Sequence, residues 1–170
     1  MSTADLMLLG MLIGCPSNAY ELVGRMEEAN MRTWAKISPP TVYKNLVRLC
    51  AQGYLDAAVI REGGMPEKTV YTVNERGLRY FGEEMEAYAM RPPTVYIDFA
   101  AFFDNLHHLD RSDAERLLEE MREGLRDKEN RMRAMLRQQG GKSQEAKAII
   151  ELYAETYSLF YTWACSFHLD

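Results

Sequence analysis

The chain has 170 residues, of which 47% are hydrophobic and 26% are charged, as in an ordinary globular protein of one or two small domains. Its three cysteines, Cys15, Cys50 and Cys165, lack CxxC spacing and paired histidines, which argues against disulfide frameworks and zinc sites and suits a reducing cytoplasm. The apolar run LMLLGMLIG follows no basic residue and is far shorter than the ~20 residues of a membrane span. We therefore expect a cytoplasmic protein with no membrane partner.

Charge is distributed unevenly along the chain. The net charge is −5 and the pI is about 5.3, which excludes a protein coated in positive charge. Between residues 31 and 80, however, eight basic residues stand against four acidic ones, so the other 120 residues carry a net charge of −9. This asymmetry predicts one basic face on an otherwise acidic protein.

The first 30 residues predict two helices. Residues 4–13 are apolar on all sides, which predicts a buried helix that ends near Gly14 and Pro16. Asn18 is a candidate N-cap for a second helix, AYELVGRMEEAN. The expected buried side of this second helix consists of Tyr20, Leu22, Val23 and Met26.

The stretch SPPTVYKNLVRLCAQG predicts a third helix with a rigid start. The following proline holds Pro39 extended, and Pro40 takes the first helical position, where its missing N–H has no intrahelical partner to lose. Gly53 ends the helix as a left-handed cap. The apolar side of the helix consists of Val42, Leu46, Leu49 and Cys50. Its polar stripe consists of Thr41, Lys44, Asn45, Arg48 and Gln52.

After the third helix the apolar period changes from helical to alternating. LDAAVIRE and KTVYTVN predict two strands around the hairpin tip GGMPE. Asn74 is then a candidate cap for a fourth helix, with Leu78, Phe81 and Met85 on one face. The order of three helices, two strands and a helix is typical of a winged helix-turn-helix domain, which we assign to residues 1–90.

The linker MRPPT, at residues 90–94, opens the second domain, which we assign to residues 91–170. Beyond the linker the sequence predicts helices to the C-terminus. Ser112 and Glu115 form a candidate capping box before an amphipathic run that spans about 40 Å if helical. After the turn QGGKS, a second apolar stripe runs from Ala146 to Ala164. Helices this long favour packing on a second copy, so we expect a homodimer. The alternative is an intramolecular helical hairpin. The predicted fold class is mainly α with a small β-hairpin wing.

Three segments, LMLLGMLIGCPSNAYEL, SPPTVYKNLVRLCAQGYL and GGMPEKTVYTVNERG, resemble the PadR family of bacterial transcriptional regulators over residues 5–77. The resemblance implies a repressor that binds a near-palindromic operator in double-stranded DNA and dimerises through its C-terminal helices. The sequence departs from the family pattern at Pro40, where glycine is common, and at Met65, where the wing often carries a basic residue. The wing's contact with phosphate then falls to Lys68 and Arg61.

The resemblance also implies roles for residues of the third helix, which would enter the major groove. Thr41, Lys44 and Asn45 are candidates for reading base edges, because lysine donates to guanine and asparagine pairs with adenine. Arg48 is a candidate phosphate contact. Further candidate contacts to the DNA backbone are Ser38 and Tyr43, with Lys68 from the wing. The alternative for Lys44 and Arg48 is a solvated helix face, and for Tyr43 a place in the core.

Aromatic residues crowd into two segments of residues 91–170. One interpretation is a helical core and dimer seam, and the other is an apolar pocket for an aromatic effector. Family members respond to phenolic acids or hydrophobic drugs, or have no known effector. The candidate effector-binding residues are Tyr96, Phe99, Phe103, Tyr157, Tyr161 and Trp163. Trp34 is a further candidate sensor or a buried residue. An effector would act by changing the spacing of two recognition helices, which must lie about 34–36 Å apart on DNA.

Enzymatic and metal-binding functions lack sequence support. The chain has no glycine-rich phosphate loop and no GxSxG motif. His107 and His108 point about 100° apart on a helix, so they do not share one ion. We therefore expect no catalysis, metal or cofactor. Two rival interpretations remain: a winged helix that binds proteins rather than DNA, which the acidic pI favours, and a small-molecule carrier or enzyme built on the helical half.

Overall fold

The computed structural model describes residues 3–31, 35, 37–61, 67–91, 94–138 and 143–169. Four features of the sequence fall wholly or partly outside these residues: the loop with Trp34, the wing tip with Met65, the prolines of the linker and the glycines of the QGGKS turn. The chain divides into two compact units, Met1–Thr94 and Val95–Asp170. The fold is mainly helical with a small antiparallel sheet, which confirms the predicted fold class.

The N-terminal unit contains four helices and a small sheet in its described part. The helices are α1 (Thr3–Ile13), α2 (Ala19–Glu28), α3 (Pro39–Ala51) and α4 (Glu75–Met90), and the strands are β1 (Ser17–Asn18), β2 (Leu55–Ile60) and β3 (Lys68–Val73). β2 and β3 pair antiparallel with Leu55 opposite Val73, which forms the predicted hairpin. The two-residue β1 was not predicted, and it joins the other side of β3 through Ser17 opposite Tyr71.

Three predicted helix caps of the N-terminal unit, at Asn18, Asn74 and Gly53, are confirmed. Asn18 forms a capping box with Glu21: the Glu21 N–H donates to Asn18 Oδ1 at 2.9 Å, and the Asn18 N–H donates to Glu21 Oε2 at 3.1 Å. Asn74 Oδ1 accepts a bond from the Gly77 N–H at 3.0 Å. Gly53 has φ +77°, and the Tyr54 N–H bonds back to the Leu49 carbonyl at 3.0 Å, as in a Schellman motif.

The start of α3 differs from the prediction by one residue. Ser38 is the extended N-cap, with φ −110° and ψ 157°, and both Pro39 and Pro40 lie in the first turn of the helix. Neither proline loses a hydrogen bond there, because the first turn of a helix has no intrahelical acceptors for its N–H groups. The prolines still fix where α3 begins.

The core of the N-terminal unit lies where α1, α2 and α3 meet β2. Its buried residues are Leu8, Leu9, Leu12, Ala19, Leu22, Met26, Ala35, Ile37, Val42, Leu46, Leu49 and Leu55. Tyr20, predicted to be buried, is instead exposed. Leu78 and Met85 are also exposed, because α4 contacts this core through Tyr80 and Phe81.

One ion pair joins α1 to α3. Arg48 Nη2 donates to Asp5 Oδ1, and its Nη1 donates to Gln52 Oε1 at 2.9 Å. The Asp5 side chain is 2% exposed, whereas that of Arg48 is 38% exposed. A carboxylate out of contact with water needs a partner with charge and donors, so the pair holds the C-terminal half of α3 against the first turn of α1.

The C-terminal unit is built on two long helices. Its elements are α5 (Ala100–Asn105), one turn of 3₁₀ helix (Leu106–His108), α6 (Arg111–Arg137) and α7 (Gln144–Ser166). The helices α6 and α7 pack together around Met132, Ile150 and Ala154. No helix in the described part of the chain is long and apolar enough to cross a membrane.

The predicted capping box at Ser112 and Glu115 is wrong. The N-cap is Asp110, Ser112 lies inside the first turn of α6, and Glu115 pairs with Arg111 at 2.9 Å. Further along α6, Arg122 donates to the carbonyls of Ala164 and Phe167, each at 3.1 Å. It thereby supplies donors to the end of α7, whose last carbonyls have no intrahelical partner.

We predict an asymmetric loss of stability when the α1–α3 ion pair is broken. Arg48→Met leaves the buried Asp5 carboxylate without its guanidinium, and we expect a cost of about 3–5 kcal/mol in the free energy of unfolding. Asp5→Ala leaves a cation that water reaches, so its cost is about 1–3 kcal/mol. Urea unfolding followed by circular dichroism measures both. The Asp5→Ala/Arg48→Met double variant should be more stable than Arg48→Met, and equal losses in the two single variants would contradict this account.

Candidate nucleic-acid interface

The helix α3 has one buried face and one exposed face. Val42, Leu46 and Leu49 are fully buried in the core of the N-terminal unit. The opposite face is exposed and consists of Pro40, Tyr43, Lys44, Val47 and Ala51. These positions follow the three- and four-residue spacing of a helix surface, so α3 presents a continuous face about three turns long.

Four of the predicted DNA-binding residues lie at the N-cap or in the first half of α3. Ser38 is exposed, and its Oγ lies 2.9 Å from Thr41 Oγ1, so the two hydroxyls share a hydrogen bond. Thr41 is half-buried, and Lys44 is exposed one turn further along. Tyr43 is 48% exposed, so it does not take the core position that was the alternative for it.

Asn45 and Arg48 lie apart from the exposed face. Asn45 is only 8% exposed, on the side of α3 that faces the core. Arg48 is half-buried, with its guanidinium bonded to Asp5 and Gln52. The predicted polar stripe thus crosses the border between the two faces, and Lys44 alone among its basic members is fully on the exposed side.

Val47 is the residue of this face that the sequence analysis missed. It is 62% exposed, one turn beyond Tyr43. Its signal in the sequence is its place four residues after Tyr43 and three after Lys44, but an apolar residue in an amphipathic helix is ordinarily assigned to the core. The exposed face of α3 therefore combines one cation with apolar surface.

The wing contributes Lys68, at the start of β3. Its Nζ lies 3.9 Å from Glu21 Oε1 of α2, and its side chain is half-exposed. Lys68 pairs with Ile60 across the hairpin, so it stands next to the wing tip, which lies outside the described residues. Arg61, the other predicted wing cation, is exposed directly after β2.

Tyr80 of α4 packs against Tyr54, which directly follows the Gly53 cap of α3. The rings of Tyr54 and Tyr80 stack with centroids 4.1 Å apart. Burial raises the pKa of the Tyr80 phenol above its ordinary value, with the Glu84 carboxylate acting in the same direction.

Three of the six candidate effector residues of the C-terminal unit lie together, and the other three do not. Phe99, Phe103 and Trp163 meet in one cluster, where the Phe103 and Trp163 centroids are 4.5 Å apart. Phe160 and Phe167, which were not on the candidate list, complete this aromatic cluster at 5.0 Å from Phe99 and 5.2 Å from Phe103.

The other three candidates lie outside the aromatic cluster or at its margin. The Tyr157 ring lies 6.5 Å from Phe160. Tyr161 lies under the Arg126 guanidinium at 5.2 Å, and a hydrogen bond with Cys165 raises the pKa of its phenol. Tyr96 is 84% exposed and is not brought to the cluster. Among the described residues, no group of three His, Cys, Asp or Glu side chains could hold a metal ion.

Comparison with known proteins identifies the family. Residues 8–83 match the model of the transcriptional regulator PadR-like family. No curated protein matches the chain significantly. Members of the family regulate transcription and are not enzymes, as expected from the sequence.

Solved structures share the fold along nearly the whole chain. Bacillus subtilis PadR in complex with operator DNA is 17% identical, with a TM-score of 0.77, and the match covers 98% of this chain and 96% of that one. The same protein in complex with p-coumaric acid is 17% identical, with a TM-score of 0.73 and coverage of 95% and 94%. The Vibrio cholerae virulence activator AphA is 16% identical, with a TM-score of 0.72 and coverage of 95% and 94%. The motif resemblance, the match over residues 8–83 and the winged-helix fold agree, and residues 8–83 form a PadR-like transcriptional regulator domain.

Proposed function

We propose that this regulator is a cytoplasmic repressor that binds a near-palindromic operator as a homodimer. Each copy inserts the exposed face of α3 into a major groove, and the two grooves lie about one turn of DNA apart. The observation that carries this proposal is the face itself: a rigidly started helix with Lys44 on an exposed surface. The solved complex of Bacillus subtilis PadR with operator DNA supports the same use of this fold.

Within α3, we assign the principal contact to Lys44. Its exposed ammonium group can donate to guanine O6 and N7 or to a phosphate. Ser38, Thr41 and Tyr43 carry hydroxyls in the first half of α3 or at its N-cap and would contact the DNA backbone. Asn45 and Arg48 are candidate DNA contacts by the sequence. We do not assign them to DNA here, because Asn45 is buried on the core side of α3 and Arg48 bonds to Asp5.

The second cation assigned to DNA is Lys68. It stands beside the wing tip and would contact a phosphate flanking the major groove. Its proximity to Glu21 of α2 orients it while the protein is free of DNA. With Lys44 and Lys68 as its assigned DNA-contacting cations, each copy presents little positive charge to DNA, which suits a protein whose net charge is −5.

We predict that Lys44→Ala weakens binding to a duplex that the wild-type protein selects by about ten- to hundredfold, because the variant loses a direct contact to the DNA. Fluorescence anisotropy of the labelled duplex measures the change. Lys147→Ala removes an exposed lysine from α7 and should leave the affinity unchanged. If Lys44→Ala binds as tightly as the wild type, α3 is not the DNA-contacting element, and the rival interpretation of a protein-binding winged helix gains support.

The homodimer is proposed from an apolar stripe on α7. Leu152, Leu159 and Trp163 are exposed, and their spacing of seven and four residues places them on one side of the helix. The opposite side of α7 packs on α6 through Ile150 and Ala154. A second copy that covers this stripe would remove three large apolar side chains from water.

We predict that Leu159→Glu converts the dimer to a monomer, because it would bury a carboxylate without a partner in the interface. Light scattering coupled to size-exclusion chromatography should then report the 19.6 kDa mass of one chain instead of twice that mass. Lys147→Glu introduces the same side chain at an exposed position about 120° around α7 from Leu159 and should remain a dimer. A monomeric wild-type protein would contradict the proposal.

We further propose that an aromatic or hydrophobic effector binds at the aromatic cluster and releases the DNA. The rings of Phe99, Phe103 and Trp163 offer a surface suited to a phenolic acid, and the solved structure of Bacillus subtilis PadR with p-coumaric acid supports this class of ligand. In a Trp34→Phe variant, Trp163 is the single tryptophan. Phenolic acids should quench its fluorescence and weaken DNA binding over the same concentrations; quenching without an effect on DNA would refute release.

A further inference from the structure

We propose that Val47 is a specificity-determining residue that recognises the C5-methyl group of one thymine in each operator half-site. This inference rests on the proposed function, because it takes DNA as the partner of α3. It adds a sequence preference that neither Lys44 nor the hydroxyls of the helix supply.

Val47 lies on the exposed face of α3 that we assign to DNA. It is 62% exposed in the middle of α3, with Lys44 three residues before it and Ala51 four residues after it on the same face. A major groove that admits this helix along Tyr43 and Lys44 also receives Val47, because all three point to the same side. Val47 therefore reaches the base edges without any change in the protein.

Folding does not explain a valine at this position. A β-branched residue is a poorer helix former than the polar residues common on helix surfaces. Burial in the core does not compensate, since the core side of α3 is filled by Val42, Leu46 and Leu49. A water-exposed valine on this face gains its apolar stabilisation only when a partner covers it.

The polar groups on the exposed face of α3 do not recognise the methyl group of thymine. The Asn45 amide, which would read adenine, is buried at 8% exposure. Thymine is the one base whose major-groove edge carries a methyl group, and apolar side chains distinguish it by contact with that group. A helix whose exposed face carries Lys44 and Val47 thus suits a half-site in which guanine and thymine lie close together.

The test uses a duplex that the wild-type protein enriches from a pool of random DNA sequences. Each thymine of that duplex is replaced in turn by deoxyuridine, which lacks the C5-methyl group and keeps every hydrogen-bonding atom. We expect one position per half-site at which the replacement weakens wild-type binding by about three- to fivefold, the loss of one apolar methyl contact. In Val47→Ala, the thymine and uracil duplexes should bind equally at that position.

A matched control and a folding check accompany the test. Val95→Ala removes the same atoms from an exposed valine of the C-terminal unit and should retain the wild-type preference for thymine. Val47→Ala should melt at or slightly above the wild-type temperature, because its side chain is exposed and alanine is the better helix former. Val47→Ile, which keeps the apolar contact, should retain sensitivity to uracil.

The outcomes separate this inference from the proposed function. A selected duplex that tolerates uracil at every position, or a thymine preference that persists unchanged in Val47→Ala, overturns the role of Val47 and leaves DNA binding by α3 intact. A protein that enriches no sequence and binds shuffled DNA equally well overturns both the proposed function and this inference.

Discussion

The bond between Asp5 and Arg48 and the burial of one apolar side of α3 together fix which side of α3 faces outward. Asp5 is buried at the first turn of α1, and its carboxylate draws the guanidinium of Arg48 toward the core. Because Arg48 sits at the edge of the face formed by Val42, Leu46 and Leu49, the ion pair and the apolar contacts fix the same rotation of the helix. The exposed surface that results is small and carries one lysine, so the DNA binding that we propose depends on few side chains.

The elements of the N-terminal unit could be predicted because their signals are local. Asn18 with Glu21, Asn74 with Gly77 and the left-handed Gly53 all act within a few residues of the position they fix. The alternation in β2 and β3 is similarly local, although β1 is too short to leave a pattern.

The exposed face of α3 could not be predicted in the same way. Periodicity treats Asn45 and Arg48 as polar and therefore exposed, yet Arg48 is bonded to a carboxylate 43 residues earlier in the chain. Tyr20 shows the opposite error, since its helical spacing indicates burial and no core surface lies over it. In the C-terminal unit, Ser112 fits the capping pattern, but Asp110 two residues earlier takes the extended conformation and starts α6. For Arg48 and Tyr20, packing between distant parts of the chain decides the outcome, whereas at the start of α6 two nearby candidate caps compete.

The central claim is that the exposed face of α3 reads DNA sequence. The most direct measurement is the fluorescence anisotropy of the genomic fragment that the protein enriches most, compared with a shuffled duplex over several salt concentrations. The account predicts tight binding to the enriched fragment, much weaker binding to the shuffled duplex, and an affinity that falls with salt as phosphate-bound counterions are released. Equal, weak binding to both duplexes at every salt concentration would contradict it and would assign the face of α3 to a protein partner.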